Sequence, residues 1–384
     1  MRLKNALTIS DLKNMAKNRV PKMFFDYADS GALTEQTYFA NESDYAKILL
    51  RQRIARKLSS RSLKTTMIGQ EVAMPLALAP IGMAGMQRAN GEILAALAAK
   101  KAGIPFTLST MSICSIEDIA KATNAPFWFQ LYVMRDHDYV RATLDRAKKA
   151  GVNALVLTMD LQILAQRHKD LRNGLTAPPK FTPKHIYQMS SRPMWCLRML
   201  GTNRHSFGNI KGHAEGTDNL RSLSTWTHDQ FDLELTWDSV KWIKDYWGGK
   251  LIIKGILDVE DAKSAVSAGA DAIIVSNHGG RQLDGAPSSI RVLPEIVEAV
   301  GKNVEIHIDG GIRNGQDILK AKALGAQAAY IGRPYIYGLG AGGEAGVTRC
   351  LDILKNELDT SMALCGERDI NNISAHHIYS NSLL

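Results

Sequence analysis

A histidine and an arginine stand three residues apart in Ser276-Asn277-His278-Gly279-Gly280-Arg281-Gln282-Leu283-Asp284, directly after the apolar run Ala272-Ile273-Ile274-Val275. A short apolar run of this kind reads as a buried parallel strand. A neutral imidazole can take a proton, and a guanidinium can hold a carboxylate through two parallel bonds. The two glycines let the chain turn tightly and approach a ligand closely. The pair suits a substrate that carries a removable proton and a carboxylate.

Such a pair needs a rigid frame, and the chain repeats one. A helix tail, a glycine and an apolar strand follow one another at Ala98–Gly103 before Ile104–Ser109, and again at Ala147–Gly151 before Val152–Thr158. The same order recurs at Ser267–Gly269 before Ala270–Ser276 and at Ala323–Gly325 before Ala326–Gly332. A glycine at a helix C-cap followed by a strand is one βα unit, and repeated units make a parallel sheet. Eight strands are expected, near Leu76–Ala79, Phe106–Leu108, Phe127–Leu131, Ala154–Thr158, Leu251–Ile253, Ala272–Val275, Val304–Ile308 and Ala328–Ile331. Their number points to a (β/α)8 TIM barrel within the α/β class. A doubly wound sheet is the alternative, but no GxGxxG follows the first strand. Residues 1–70 read as an N-terminal helical extension, with Asp11–Arg19 and Asn41–Lys57 as its best helices, and 161–238 as a long, proline-broken connection on the C-terminal face. The expected organisation is one catalytic domain over 1–384.

In such a barrel the chemistry sits where strands end. Here the ends carry Pro80-Ile81-Gly82, Ser109, Gln130 with Tyr132, Thr158 with Asp160, Lys254, Ser276 with His278, Asp309-Gly310-Gly311-Ile312-Arg313, and Gly332-Arg333. Asp160 is placed to orient His278 and stabilise its protonated form. An ammonium among apolar neighbours, as at Lys254, is costly unless it meets an anion, and a reduced cofactor ring is one such anion. The glycines and arginines that end strands seven and eight occupy the usual barrel site for a cofactor phosphate.

The net charge of +9 is uneven: residues 1–70 hold 13 Lys/Arg against 6 Asp/Glu, and 161–230 hold 10 against 4. This bias suits an anionic surface, membrane or nucleic acid. Met194, Trp195, Phe207 and Trp226 lie in the basic connection, so it reads either as a lid or as a bilayer-interface element serving a quinone acceptor. The apolar runs are too short to span a bilayer, the N-terminus leads into no signal-like stretch, and the four cysteines show no metal spacing. No metal is expected, and the location reads as cytoplasmic, with peripheral attachment to the inner face of the plasma membrane.

The chain resembles the FMN-dependent L-2-hydroxy acid dehydrogenase/oxidase family from about residue 8 to 370. The resemblance is carried by SNHGGRQLD and reinforced by IIKGI, IDGGIR, FQLYV, IGRP and PKMFFDYADSGA. Through LALAPIG, FTLSTMSIC and IIKGILDVEDA it is most similar to the bacterial flavin-type L-lactate dehydrogenases. The resemblance implies oxidation of an L-2-hydroxy acid, best matched by L-lactate going to pyruvate. It implies His278 as base, Asp160 as its partner, Tyr132 on the substrate hydroxyl, and Arg281 with Tyr27 on the carboxylate, Arg167 being nearby. FMN would be held by Pro80, Ile81, Gly82, Ser109, Gln130, Thr158, Lys254 and Ser276, and its phosphate by Asp309, Gly310, Gly311, Arg313, Gly332 and Arg333. A homotetramer is implied as well.

Three positions depart from family patterns: Met111 stands where glycolate oxidase has tryptophan, Gly82 where it has alanine, and Ala165 where many members have glycine. An oxidase that returns electrons to oxygen and forms hydrogen peroxide is the competing enzyme reading. A flavin-free basic barrel that binds nucleic acid is the competing reading of another class. It leaves the polar strand ends without a purpose, so no nucleic acid partner is expected.

Overall fold

The computed structural model describes residues 2–175, 182–212 and 230–379. A hairpin, β1 (Thr65–Met67) and β2 (Gln70–Val72), precedes eight parallel strands. These are β3 (Leu76–Leu78), β4 (Thr107–Ser109), β5 (Phe127–Leu131), β6 (Val152–Thr158), β7 (Lys250–Ile256), β8 (Ala272–Val275), β9 (Glu305–Asp309) and β10 (Ala328–Ile331). Neighbours run β3-β10-β9-β8-β7-β6-β5-β4, and a parallel bridge between Leu78 and Phe106 joins the two ends into a barrel. All eight expected strands are present, because strands covered on both faces are written as apolar runs. Leu251, Ile252 and Ile253, for example, have no exposed surface.

The glycine punctuation works as expected. Gly103 and Gly325, with φ of 67° and 104°, close their helices in the left-handed conformation that lets the next strand begin. The hairpin caps the barrel's N-terminal end. Its Met67 and Val72 pack on Ala77, Trp128, Val156, Ile252 and Ile274 inside the barrel.

The N-terminal region differs in detail from the expectation. Helix α1 (Ile9–Arg19) begins at a Thr8–Asp11 capping box. A second helix, α2 (Lys22–Ala28), has no counterpart in the sequence pattern; seven residues starting after Pro21 are too few to show a period. The helix expected over Asn41–Lys57 is α3 (Gln36–Lys47). It stops because Ile48 turns extended and Leu50 pairs antiparallel with Ile378.

The connection after β6 is more ordered than its prolines suggest. Its described part holds helices His168–Arg172, Pro183–Ser190 and Pro193–Leu200, and a further helix, Trp237–Trp247, leads into β7. Pro183 and Pro193 open helices, a position where the missing N–H leaves no bond unmade. The connection is tied to the barrel. Trp195 donates from Nε1 to the Met86 carbonyl at 2.9 Å and stacks on Phe24 with ring centroids 5.4 Å apart. Asn209, fully buried, donates to Ser109 O and Thr110 O at 3.2 and 3.3 Å and accepts from Ile116 N at 2.9 Å. Trp226 lies outside the described residues.

Candidate active site

His278 has φ of 57°, unusual for a residue with a side chain, and Gly279 and Gly280 continue in the same region. Strain of this kind persists only where neighbours enforce it. Here Ser276 Oγ accepts from His278 N at 3.1 Å, and Asn277 Oδ1 accepts from Gly280 N at 3.0 Å. Position 280 admits only glycine, since a Cβ would lie 2.5 Å from Tyr38 N. The strand end thus aims the imidazole at the barrel mouth.

His278 Nδ1 meets Asp160 Oδ1, at the end of β6, at 2.9 Å. Its Nε2 lies 3.5 Å from the Tyr132 hydroxyl. Gln282, given no role by the sequence although it stands in the SNHGGRQLD run, donates to the carbonyls of Asp160 and Ile163 at 2.6 and 2.8 Å and ties the two loops together. Burial lowers the histidine's pKa below the ordinary value, Asp160 opposes that shift, and Lys254 adds to it. Burial raises the Asp160 pKa, but His278 and Lys254 outweigh it and hold the carboxyl below the usual range. The pair therefore rests as neutral imidazole beside carboxylate, the state that can accept a proton. Burial pushes the Tyr132 hydroxyl well up, so it stays protonated and can donate.

Arg281 lies beside this pair, its guanidinium carbon 4.9 Å from the Tyr27 ring centroid. Its NH1 donates to the carbonyls of Tyr27 and Ser30 at 2.7 and 2.9 Å, which leaves Nε and NH2 without a partner among the described residues. Arg167 joins it, donating from Nε to the Arg281 carbonyl at 3.4 Å. Burial, then the neighbouring Arg167, lowers the Arg281 pKa. Two guanidinia lining one cavity form a site for an anion. Asp170, 3.8 Å from Arg167, and Ser30 complete this group. Neither is singled out by the sequence, because both come from segments remote from any strand end; Ser30 only stands inside the motif PKMFFDYADSGA.

Lys254 on β7 binds Asp309 of β9 at 3.0 Å and Ser276 Oγ at 2.8 Å. Burial works against its charge, but Asp309 and Asp160 outweigh it and raise its pKa. Lys254 and Asp309 line one cavity of about 1120 Å³ with Pro80, Ile81 and Gly82. Thr158, Gly310, Gly311, Arg313, Gly332 and Arg333 also line it, whereas Ser109, Gln130 and Ser276 stand behind. Ser109 Oγ meets Gln130 Oε1 at 3.0 Å. Arg313 and Arg333 have partners already: Arg313 pairs with Glu42 at 2.8 Å, and Arg333 donates to the carbonyls of Ala28, Gly279 and Ser30. Arg333 thus fastens α2 and the His278 loop to β10.

Several buried polar atoms here lack partners among the described residues: Thr158 Oγ1, Gln130 Nε2, Asp160 Oδ2 and Asp309 Oδ1. Buried polar groups are rarely left so unless a ligand completes them. Gly82 leaves a gap beside Met111 and Tyr27, where a Cβ would stand 3.1 Å from Met111 Cβ and 3.4 Å from the Tyr27 hydroxyl. A flat heterocycle rich in amide-like donors and acceptors fits these strand ends, and the positive-φ turn at Gly310-Gly311 fits a phosphate tail.

Comparison with known proteins places the chain in a family. The model of the FMN-dependent dehydrogenase family matches residues 16–380. An L-lactate dehydrogenase of Chromohalobacter salexigens is 42% identical over 374 residues, 97% of this chain and 95% of that one. One of Xanthomonas campestris pv. campestris is 44% identical over 367 residues, 95% of each. Among solved structures, the monotopic membrane protein (S)-mandelate dehydrogenase superposes with a TM-score of 0.93 at 35% identity, covering 97% of this chain and 99% of that one. The chain belongs to the FMN-dependent dehydrogenase family, and FMN is its cofactor.

Proposed function

We propose that this enzyme oxidises a small L-2-hydroxy acid to the 2-oxo acid, with L-lactate going to pyruvate as its reaction. The observation that carries the reading is the His278–Asp160 pair, 2.9 Å apart, facing an anion site built by Arg281 and Arg167. Arg281 presents two free donors to the substrate carboxylate, Arg167 adds charge, and Tyr27 closes the site. Tyr132 donates to the substrate hydroxyl. Held in this way, the substrate offers a proton, from carbon or from oxygen, to neutral His278 Nε2. Asp160 stabilises the imidazolium that forms, and Arg281 stabilises negative charge on the substrate. FMN, once bound, supplies the two-electron acceptor. Lys254, Thr158, Gln130, Ser109, Ser276 and the main chain of Pro80–Gly82 would hold its ring. Gly310, Gly311 and Gly332, with Arg313 and Arg333, would hold its phosphate.

The reading extends to a membrane quinone as acceptor, peripheral attachment at the inner face of the plasma membrane, and a homotetramer. Membrane attachment is supported by the exposure of Ile186, Tyr187, Met194, Leu197 and Leu200 on the helices Pro183–Ser190 and Pro193–Leu200; the tetramer rests on the family resemblance alone. No helix among the described residues is long and apolar enough to cross a membrane.

The test is the visible spectrum of purified protein before and after anaerobic L-lactate. Bleaching of the flavin bands supports the reading. A flavin that stays oxidised with L-lactate but bleaches with a bulkier 2-hydroxy acid would replace lactate as substrate, with Met111 as the residue to examine. Stoichiometric peroxide in air would favour the oxidase instead.

A further inference from the structure

Away from the active site, between the end of α1 and the helix Pro193–Leu200, lies a smaller pocket of about 330 Å³. Its lining includes Arg19, Arg88, Arg192 and Arg198, and no carboxylate among the described residues. None of the four forms an ion pair with a described carboxylate. Three of them donate to main-chain carbonyls: Arg19 to Ala341, Arg192 to Ser191 and Arg198 to Met194. Arg192 Nε is buried without a partner among the described residues. Arg88 has its pKa lowered, by burial first and then by the positive charges of Arg198 and Arg19.

A merely solvated basic face would turn its guanidinia outward, where water satisfies every N–H. Here Arg19 and Arg198 reach solvent, but Arg88 and Arg192 are half-buried, three separate segments of chain converge like charges on one hollow, and Arg192 Nε is left unpaired among the described residues. That arrangement is unfavourable until an anion enters, and a phosphate oxygen is the acceptor guanidinia match best. The rim identifies the source. Met194, Leu197 and Leu200, on the same helix as Arg198, are 56, 62 and 82% exposed. A site that places apolar side chains beside a phosphate pocket suits a ligand with an anionic head and acyl chains.

We infer that this pocket binds the phosphate of an acidic phospholipid, with Arg88 and Arg192 as its inner donors and Arg19 and Arg198 at its mouth. Met194, Leu197 and Leu200 then enter the bilayer interface. The inference rests on the peripheral membrane reading above and makes it specific: attachment depends on a headgroup site, and diffuse positive charge alone does not supply it.

The experiment is sedimentation of the FMN-loaded enzyme with vesicles of phosphatidylcholine, alone or mixed with phosphatidylglycerol. The double variant Arg88→Gln/Arg192→Gln is compared with Lys17→Gln/Lys211→Gln, which removes the same charge from exposed positions outside the pocket. Turnover with a soluble dye checks that both variants are folded. Loss of two diffuse surface charges weakens binding by up to about 30-fold, at roughly 1 kcal/mol each when both face the bilayer. The pocket variant is expected to lose about 100-fold or more on phosphatidylglycerol vesicles, since a half-buried donor pair loses direct bonds as well. The lysine variant should lose several-fold less than the pocket variant, and millimolar inorganic phosphate should leave wild-type binding intact. Equal losses in the two variants overturn the pocket while leaving membrane attachment standing. Displacement by inorganic phosphate makes it a free-anion site and overturns the lipid assignment. Failure of the wild type to sediment with either vesicle overturns the membrane reading and this inference together.

Discussion

The two ends of the barrel are built from the same strands and treat their charged groups differently. At the N-terminal end, Glu305 of β9 accepts from Ile68 N at 2.9 and 3.0 Å and meets His307 at 2.8 Å, while His307 Nδ1 lies 3.2 Å from the Tyr330 hydroxyl. The hairpin seals this end, and both carboxylate oxygens have partners. At the other end of the same strand Asp309 binds Lys254 through one oxygen and leaves the other bare; Asp160 does the same beside His278. Residues are spent on closure at one end and held for a ligand at the other. Keeping a closed scaffold while leaving polar groups open at one mouth is how a barrel separates stability from chemistry.

The comparison can be broken by exchanging the effects of mutations at the two ends. The largest effect is expected for His278→Gln, which removes the proton acceptor: turnover should fall by roughly 10³-fold or more, within the range for general-base catalysis, while bound flavin still shows its visible bands. Wild-type turnover in this variant would refute the role of the imidazole. Lys254→Met should come next. It leaves Asp309 buried and unpaired, at a cost of about 3–5 kcal/mol. Thermal unfolding of the FMN-free protein and FMN affinity by equilibrium dialysis should both fall; unchanged FMN affinity would remove Lys254 from the cofactor site. At the sealed end, Glu305→Gln should cost about 1–2 kcal/mol through its lost charge-assisted bonds. Its melting temperature should drop with kcat/KM unchanged. A large loss of activity there would erase the distinction between the ends.

The frame is legible because burial on both faces leaves a strong mark: runs such as Leu251-Ile252-Ile253 and Ala272–Val275 read as strands from composition alone. His278, Arg281 and Lys254 are legible for a related reason. A charged or titratable side chain at the end of an apolar strand is costly to bury without a partner, so its presence there points to a ligand or an ion pair. The contact of His278 with Asp160 follows only once the barrel is assumed, because 118 residues separate them. Asp170 leaves no trace, and Ser30 and Gln282 stand inside the motifs PKMFFDYADSGA and SNHGGRQLD without any mark of what they touch; all three act through tertiary packing that no local pattern encodes. Pro183 and Pro193 mislead for a physical reason: proline breaks a helix from within but starts one well, and only the flanking fold says which applies. Helix α2, which carries Tyr27, is hidden by its shortness.

The central claim is that His278, neutral at rest and oriented by Asp160, takes the proton. The measurement that tests it most directly is the pH dependence of kcat/KM for wild type and Asp160→Asn. The imidazole must be neutral, so activity rises with pH through its pKa. Because burial outweighs Asp160 and lowers that pKa, the wild-type rise should lie below the ordinary histidine value of 6.5. Removing the Asp160 carboxylate takes away the main group that raises it. The rise should therefore move to still lower pH, while the plateau falls by roughly 10²-fold as the imidazolium loses its partner. A rise that stays in place, or moves to higher pH, in Asp160→Asn would contradict the account.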